Sequence, residues 1–183
     1  MAAEYRPKIE LSLSYADKVQ EIASVALLVA HVILVASNFV SLPESVPIHI
    51  NYRDEIDGWE KKSSIWLLPL IGLFIYMLMT VLNRYPEKFN YPYRFKPENA
   101  AFEYLRATRM IRWLKVCIMA LFMMLTWRLI AEVKPEIGYL GPWMSWVALA
   151  CILFAPLWYL VISGKQKAES DLNTCYFVLY FTP

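Results

Sequence analysis

The chain has few of the residues that usually carry catalysis, metal binding or disulfide bonds. Its 183 residues include only 2 histidines, 3 cysteines and 5 glycines. Cys117, Cys151 and Cys175 show neither the spacing of a metal site nor that of a disulfide framework. No nucleophile stands beside an assignable base, and no general acid/base pair is visible. We therefore expect no enzymatic activity, no metal and no cofactor.

Charge is also scarce. Charged residues make up 19% of the chain, whereas 58% is hydrophobic and 15% aromatic. These proportions are too apolar for a soluble domain, and the length is too short for more than one compact unit. The net charge of +2 says little about partners, because the positions of the charges matter more than their sum in a membrane protein. We expect no nucleic-acid partner. We predict a single integral membrane domain over residues 1–183, with the lipid bilayer as its main partner.

Long hydrophobic runs predict an all-α membrane protein with four transmembrane helices. The first run has 21 residues without a charge, which matches the roughly 20 residues needed to cross a bilayer. Its helix should begin near the capping box Ser14–Asp17. A juxtamembrane helix over 97–115 should continue into the third span. The tail 175–181 is too short to span, and either lies in the interface or packs on the bundle in extended form. The predicted spans are 22–42, 65–82, 110–130 and 142–163.

The distribution of positive charge predicts the orientation. The two tails and the segment between spans two and three carry 13 Lys and Arg, whereas the other two connections carry 4. Positive residues favour the cytoplasmic side. We predict a multi-pass protein of the cytoplasmic (inner) membrane, with both termini cytoplasmic and the loop after the first span facing outward.

Basic residues recur along the long third helix. Arg106, Arg109 and Arg112 are three residues apart, with Lys115 next in the series. We expect them to meet anionic headgroups and to hold this helix end on its side of the membrane, an interpretation favoured over a specific anionic-ligand site. Lys115 and Arg128, at the two ends of the uncharged part of the span, should extend toward the headgroups.

Three polar residues form a stripe in the first span. Ser24, His31 and Asn38 are seven residues apart and so share one helix face. Hydrogen bonds to neighbouring helices are the favoured interpretation, helped by the small residues Ala26 and Ala30. The alternative is a polar track with His31 as a proton acceptor.

The outward loop, 42–69, holds the densest mix of polar, acidic and aromatic residues. Pro43 and Pro47 exclude a helix at its start, so the chain should run extended there, with Ile48 and Ile50 facing away from His49 and Asn51. A turn should follow over 54–58. We expect an ordered, self-bonded turn; a metal or cationic-ligand site is the alternative, although no recognised ligand spacing is present. The candidate site residues are His49, Asn51, Asp54, Asp57, Trp59 and Lys62.

The loop residues also carry a resemblance. Leu42-Pro43, Pro47-Ile48-His49, Asn51, Asp57, Trp59 and Lys62, followed by an apolar run with Pro69, resemble the bacterial membrane family called domain of unknown function 1648, over about residues 22–82. That domain also forms the front part of the immunity proteins that act against the sporulation-delay toxin.

The resemblance implies a bacterial accessory or immunity-type protein. Its partner would be a peptide, another membrane protein or a membrane-active compound, recognised at the outer surface. The alternative function is a small transporter or proton-coupled sensor that uses the His31 stripe.

A last hypothesis joins the loop to the bundle. Arg128 should lie at the outer depth of the third span, and Asp57 and Glu60 are the nearest acidic candidates to pair with it. Such a pair would hold His49 and Asn51 over the polar stripe of the first span.

Overall fold

The computed structural model describes residues 6–51, 53, 55–92, 95–138, 141, 143, 146–147, 149–154 and 156–161. Three long helices and one β-hairpin form the part that is described. Short 3-10 helices precede α2 and α3 and follow α3. The elements are α1 (Tyr15–Phe39), β1 (Ser45–Ile50), β2 (Ile56–Lys61), α2 (Leu67–Leu82) and α3 (Ala100–Val133).

Three helical segments of the described residues are long and apolar enough to cross a membrane. They are Tyr15–Phe39, Lys62–Leu82 and Pro97–Val133. These segments confirm a membrane protein with spans close to the first three predicted positions. Within the fourth predicted span, 142–163, the structure describes a shorter apolar helix, Leu149–Val161. Other residues of this range lie outside the described residues, so the fourth span stays a prediction. The tail 175–181 lies outside the described residues.

Helix α1 begins where the sequence predicts. The Ser14 side chain accepts from the Asp17 backbone N–H at 3.3 Å, and the Ser14 backbone N–H donates to the Asp17 carboxylate at 2.9 Å. This reciprocal pair satisfies two donors that the helix start would leave open. The residues of α1 that are buried in the bundle are spaced by three, four or seven positions: Asp17, Ser24, Leu28, His31 and Val35.

Helix α3 is the central element and contacts α1, α2 and β1. It is one continuous helix of 34 residues, as the prediction of a juxtamembrane helix joined to the third span required. Helix α2 approaches it closely at Gly72, where an added Cβ would lie 3.3 Å from Cδ2 of Phe122. A side chain at position 72 would therefore require the Phe122 ring to shift by a few tenths of an ångström.

The all-α prediction is wrong at the outward loop, which forms a two-stranded antiparallel sheet. The predicted turn over 54–58 is also displaced. The Asn51 side-chain oxygen accepts from the backbone N–H groups of Arg53 and Glu55, so the turn lies between Asn51 and Glu55, and Gly58 belongs to β2. An asparagine favours a turn at its own position, because its side chain can accept hydrogen bonds from the backbone N–H groups that follow it.

A β-bulge explains why the predicted alternation of side chains in β1 does not hold. The register shifts on both sides of His49, which pairs with Gly58. Val46 and Pro47 are both buried, and Ile48 and His49 are both exposed. An extra residue in one strand moves the following side chains to the other face.

The hairpin packs onto one end of the bundle by its first strand. Val46 is 1% exposed and belongs to one hydrophobic cluster with residues of α1, the 3-10 helix before α2, and α3. The loop therefore folds back over the bundle, as the sequence hypothesis required. The buried members of the cluster are Val35, Leu42, Val46, Ile65, Leu129 and Ile130.

A second cluster covers the opposite end of the bundle. Tyr91 packs against Tyr104 and Phe95, and its hydroxyl donates to the Pro86 carbonyl at 3.0 Å. Burial raises the pKa of Tyr91 above its ordinary value. The Arg6 side chain lies over the Tyr91 ring, 5.3 Å from its centroid. The segment between α2 and α3 is thus packed on the start of α3.

Candidate functional site

The predicted loop site is an exposed hairpin whose polar residues bond mostly to each other. His49 Nδ1 contacts the Asp57 carboxylate, with side chains 66% and 45% exposed. The Asn51 side chain closes the turn with Glu55. Lys62 pairs with Glu44 at 2.8 Å at the other end of the hairpin. The contacts are those of an ordered, self-bonded turn.

The six predicted loop residues do not converge on one point. His49 and Asp57 come together, whereas Lys62 lies at the base of the hairpin. Trp59 is 53% exposed on β2, and Asp54 lies outside the described residues. No group of three His, Cys, Asp or Glu side chains suited to a metal ion occurs in the described part of the chain.

The structure describes Asp57 and Glu60, the two carboxylates predicted to pair with Arg128. Asp57 is paired with His49, and Glu60 is exposed on β2. Arg128 itself is buried on α3, 6% exposed, so it does not extend into the headgroups as predicted. Its pairing with Asp57 or Glu60 stays a prediction.

One edge of strand β2 pairs with β1, and its other edge faces away from β1. The Lys62 N–H donates to the Glu44 carbonyl at 2.9 Å, which makes these two residues a hydrogen-bonded pair. In antiparallel sheets such pairs alternate with non-bonded ones along the strands. The next bonded pair is then Val46 with Glu60, and the backbone N–H groups of Trp59 and Lys61 point outward.

The other edge of the hairpin is protected. Pro47 lies opposite Trp59 and has no N–H to donate. Strand β1 also packs against α3, with Val46 and Pro47 buried. The edge of β2 is therefore the one suited to pairing with another extended chain.

The polar stripe of α1 faces the other helices, as its spacing predicted. His31 is 1% exposed, and its Nε2 lies 2.7 Å from Oγ1 of Thr126 on α3. Ser24 donates to the Glu21 carbonyl of its own helix at 2.8 Å. Asn38 accepts from the Lys134 ammonium at 2.9 Å. Two of the three stripe residues, His31 and Asn38, thus hydrogen-bond to residues of α3 or of the segment that follows it.

The end of the bundle opposite the hairpin holds a cluster of ion pairs that the sequence interpretation missed. Arg109 donates two hydrogen bonds to Asp17, at 2.8 and 3.3 Å. Arg112 lies 3.8 Å from Asp17 and 3.2 Å from Glu21. Lys115 lies 2.5 Å from Glu21 and 3.2 Å from the Thr80 hydroxyl of α2. All three long helices meet here.

These contacts correct the prediction of headgroup contact for the last two members of the basic series, Arg112 and Lys115. Arg112 is 5% exposed and Lys115 is completely buried. Opposite charges on α1, which were available at Asp17 and Glu21, bind them instead. A signal was present in the sequence, because Asp17 lies seven residues before Ser24 and so continues the stripe of α1 by one heptad.

Comparison with known proteins adds one family. No curated protein and no solved structure matches the chain. The family model described as "Domain of unknown function (DUF1648)" matches residues 26–73, which run from α1 through the hairpin into the first turns of α2. This match confirms the resemblance predicted from the loop residues, and the chain is similar to that family over residues 26–73.

Proposed function

We propose that this chain is an accessory or immunity-type protein that recognises an extended, cationic peptide through its hairpin. The outward edge of β2 is the observation that carries the proposal. Addition of a strand to an exposed sheet edge is a common mode of peptide recognition, because the main-chain groups supply affinity at any sequence.

The charge and shape of the hairpin support this partner. Residues 44–62 hold five acidic and three basic side chains, so the hairpin attracts positive charge. Trp59 is exposed beside the open edge, and aromatic side chains are common anchors at interfaces. Packing of Val46 into the bundle holds the edge in a fixed position, which lowers the entropic cost of binding.

The alternative predicted function, a small transporter or proton-coupled sensor, has less support. His31 is 1% exposed and bonded to Thr126, an arrangement expected of a residue that joins two helices. The hairpin proposal therefore stands first.

A substitution at Lys61 tests the proposal at the backbone. The φ of Lys61 is −57°, which proline adopts without strain, and its N–H points away from β1. Lys61→Pro removes one edge donor and leaves the hairpin bonds in place. Lys61→Gln is the matched control, because it removes the same charge and keeps the N–H.

Sensitivity to a panel of membrane-active cationic peptides is the measurement. Cells that express the chain should survive a peptide that kills cells without it. Lys61→Pro should lower the protective dose about five-fold relative to Lys61→Gln, since one hydrogen bond contributes about 1 kcal/mol. Absence of protection against every peptide, or equal protection by the two variants at equal expression, would remove the basis for the proposal.

A further inference from the structure

A groove lies at the end of the bundle opposite the hairpin. It encloses about 390 Å³ between the start of α1, the first half of α3 and the Leu149–Val161 helix. Ligand sites in proteins commonly have volumes of about 300–1,000 Å³. The groove is thus large enough for part of an amphiphile.

The walls of the groove divide into a basic part and an aromatic part. Arg106 and Arg109 line it near the start of α3. Trp113 lies four residues further along α3, and Phe154 and Trp158 line the opposite wall. From Arg106 to Trp113 the helix rises about 10 Å, at 1.5 Å per residue. A charged group at one end and a hydrocarbon chain at the other would match this arrangement.

The acidic partners of the two arginines are more buried than the arginines, so the groove side carries positive charge. Asp17, the partner of Arg109, is completely buried, whereas the Arg109 side chain is 47% exposed. Glu103, which pairs with Arg106, is 5% exposed. The two carboxylates stand behind the guanidinium groups and do not line the groove. A ligand in the groove therefore meets the partly exposed guanidinium of Arg109, a group that suits phosphate oxygens.

We infer that this groove binds one anionic phospholipid, with its phosphate on Arg109 and an acyl chain along Trp113, Phe154 and Trp158. Tryptophan and arginine side chains at this boundary occupy the depth where headgroups meet hydrocarbon. The ion pair of Arg109 with Asp17 holds the guanidinium in place before the lipid binds, so little side-chain freedom is lost on binding.

Native mass spectrometry of the full chain tests the inference. The protein, purified in detergent, is mixed with equal amounts of phosphatidylglycerol and phosphatidylcholine. We expect one phosphatidylglycerol to be retained in preference to phosphatidylcholine. Arg109→Gln should weaken this retention about five-fold, because one basic residue near an anionic lipid contributes about 1 kcal/mol. Arg109→Lys keeps the charge and should retain most of the binding.

The aromatic wall has its own pair of variants. Trp158→Ala should lower retention of phosphatidylglycerol and leaves the Arg109–Asp17 pair intact. Trp146→Ala is the control, since Trp146 is 65% exposed and does not line the groove. Equal retention of the two lipids, or equal behaviour of the two tryptophan variants, would overturn the inference. Stabilisation by inorganic phosphate equal to that by phosphatidylglycerol would also overturn it, because the acyl chain would then contribute nothing.

Discussion

Lys115 of α3 and Glu21 of α1 form an ion pair of 2.5 Å in which the lysine is completely buried and the glutamate is 28% exposed. Lys115 also donates to the Thr80 hydroxyl of α2 and lies 4.8 Å from the centre of the Tyr76 ring. One ammonium group therefore contacts all three long helices. Removal of Glu21 would leave the ammonium charge buried in the bundle, whereas removal of Lys115 would leave only the partly exposed Glu21. The two partners therefore differ in how much their loss should destabilise the protein.

Substitution of Glu21 should therefore destabilise the protein more than substitution of Lys115. Glu21→Gln removes the carboxylate and leaves the buried ammonium, a change that typically costs about 3–5 kcal/mol. Lys115→Met leaves Glu21 partly exposed and still 3.2 Å from Arg112. We expect a larger drop in apparent Tm in detergent for Glu21→Gln, with part of it restored in the double variant.

The exposed pair of Glu44 and Lys62 is the control, because its nitrogen–oxygen distance of 2.8 Å is similar and the Glu44 side chain is 89% exposed. Glu44→Gln should cost less than about 1 kcal/mol. A Tm for Glu21→Gln equal to that for Glu44→Gln would show that the Lys115–Glu21 pair is solvated and contributes little to stability.

The bond between His31 and Thr126 should contribute modestly to the packing of α1 on α3. Thr126→Val keeps the shape and removes the hydroxyl, and side-chain hydrogen bonds between membrane helices contribute about 0.6 kcal/mol on average, up to about 1.7. We expect a small, reproducible drop in Tm. Ser37→Ala, which removes an exposed bond within α1, is the control and should have no effect. A proton flux in vesicles that disappears with His31→Asn would favour the transporter alternative instead.

Asp57 should couple energetically to His49 rather than to Arg128. A double-mutant cycle with His49→Gln and Asp57→Asn should give a coupling of a few tenths of a kcal/mol, up to about 1, as for other exposed ion pairs. The cycle with Arg128→Gln and Asp57→Asn should be additive within about 0.5 kcal/mol. A larger coupling to Arg128 would restore the hypothesis that the loop is held by that pair.

Both termini are predicted to be cytoplasmic, with the hairpin outside. A single cysteine at Ser45 or Glu136, in a chain with Cys117, Cys151 and Cys175 replaced by serine, should react with an impermeant maleimide added to intact cells. A cysteine at Lys88 or Lys165 should react only after lysis. Labelling of position 88 in intact cells would invert the orientation and would place the hairpin in the cytoplasm.

Local features of the chain were enough to predict its first three spans and its polar stripe. The uncharged run 22–42, the capping box at Ser14 and the heptad spacing of His31 each depend on residues close in sequence. The structure has an apolar helix over Tyr15–Phe39 that is capped at Ser14 and buries His31. The continuous helix α3 followed from the absence of a breaker between Pro97 and Ile130. Hydropathy and helix period depend on residues within a short window, so they can be read directly from the sequence.

Pairing across distant segments was decided by the tertiary structure. Glu21 and Lys115 are 94 residues apart, and periodicity alone left Lys115 facing headgroups. The hairpin was missed for a related reason, since Asn51, Gly58 and the bulge at His49 set a register that depends on both strands together. Whether a charge binds lipid or an opposite charge depends on which helix faces it in the bundle, because a buried ion pair forms only where packing brings its partners together.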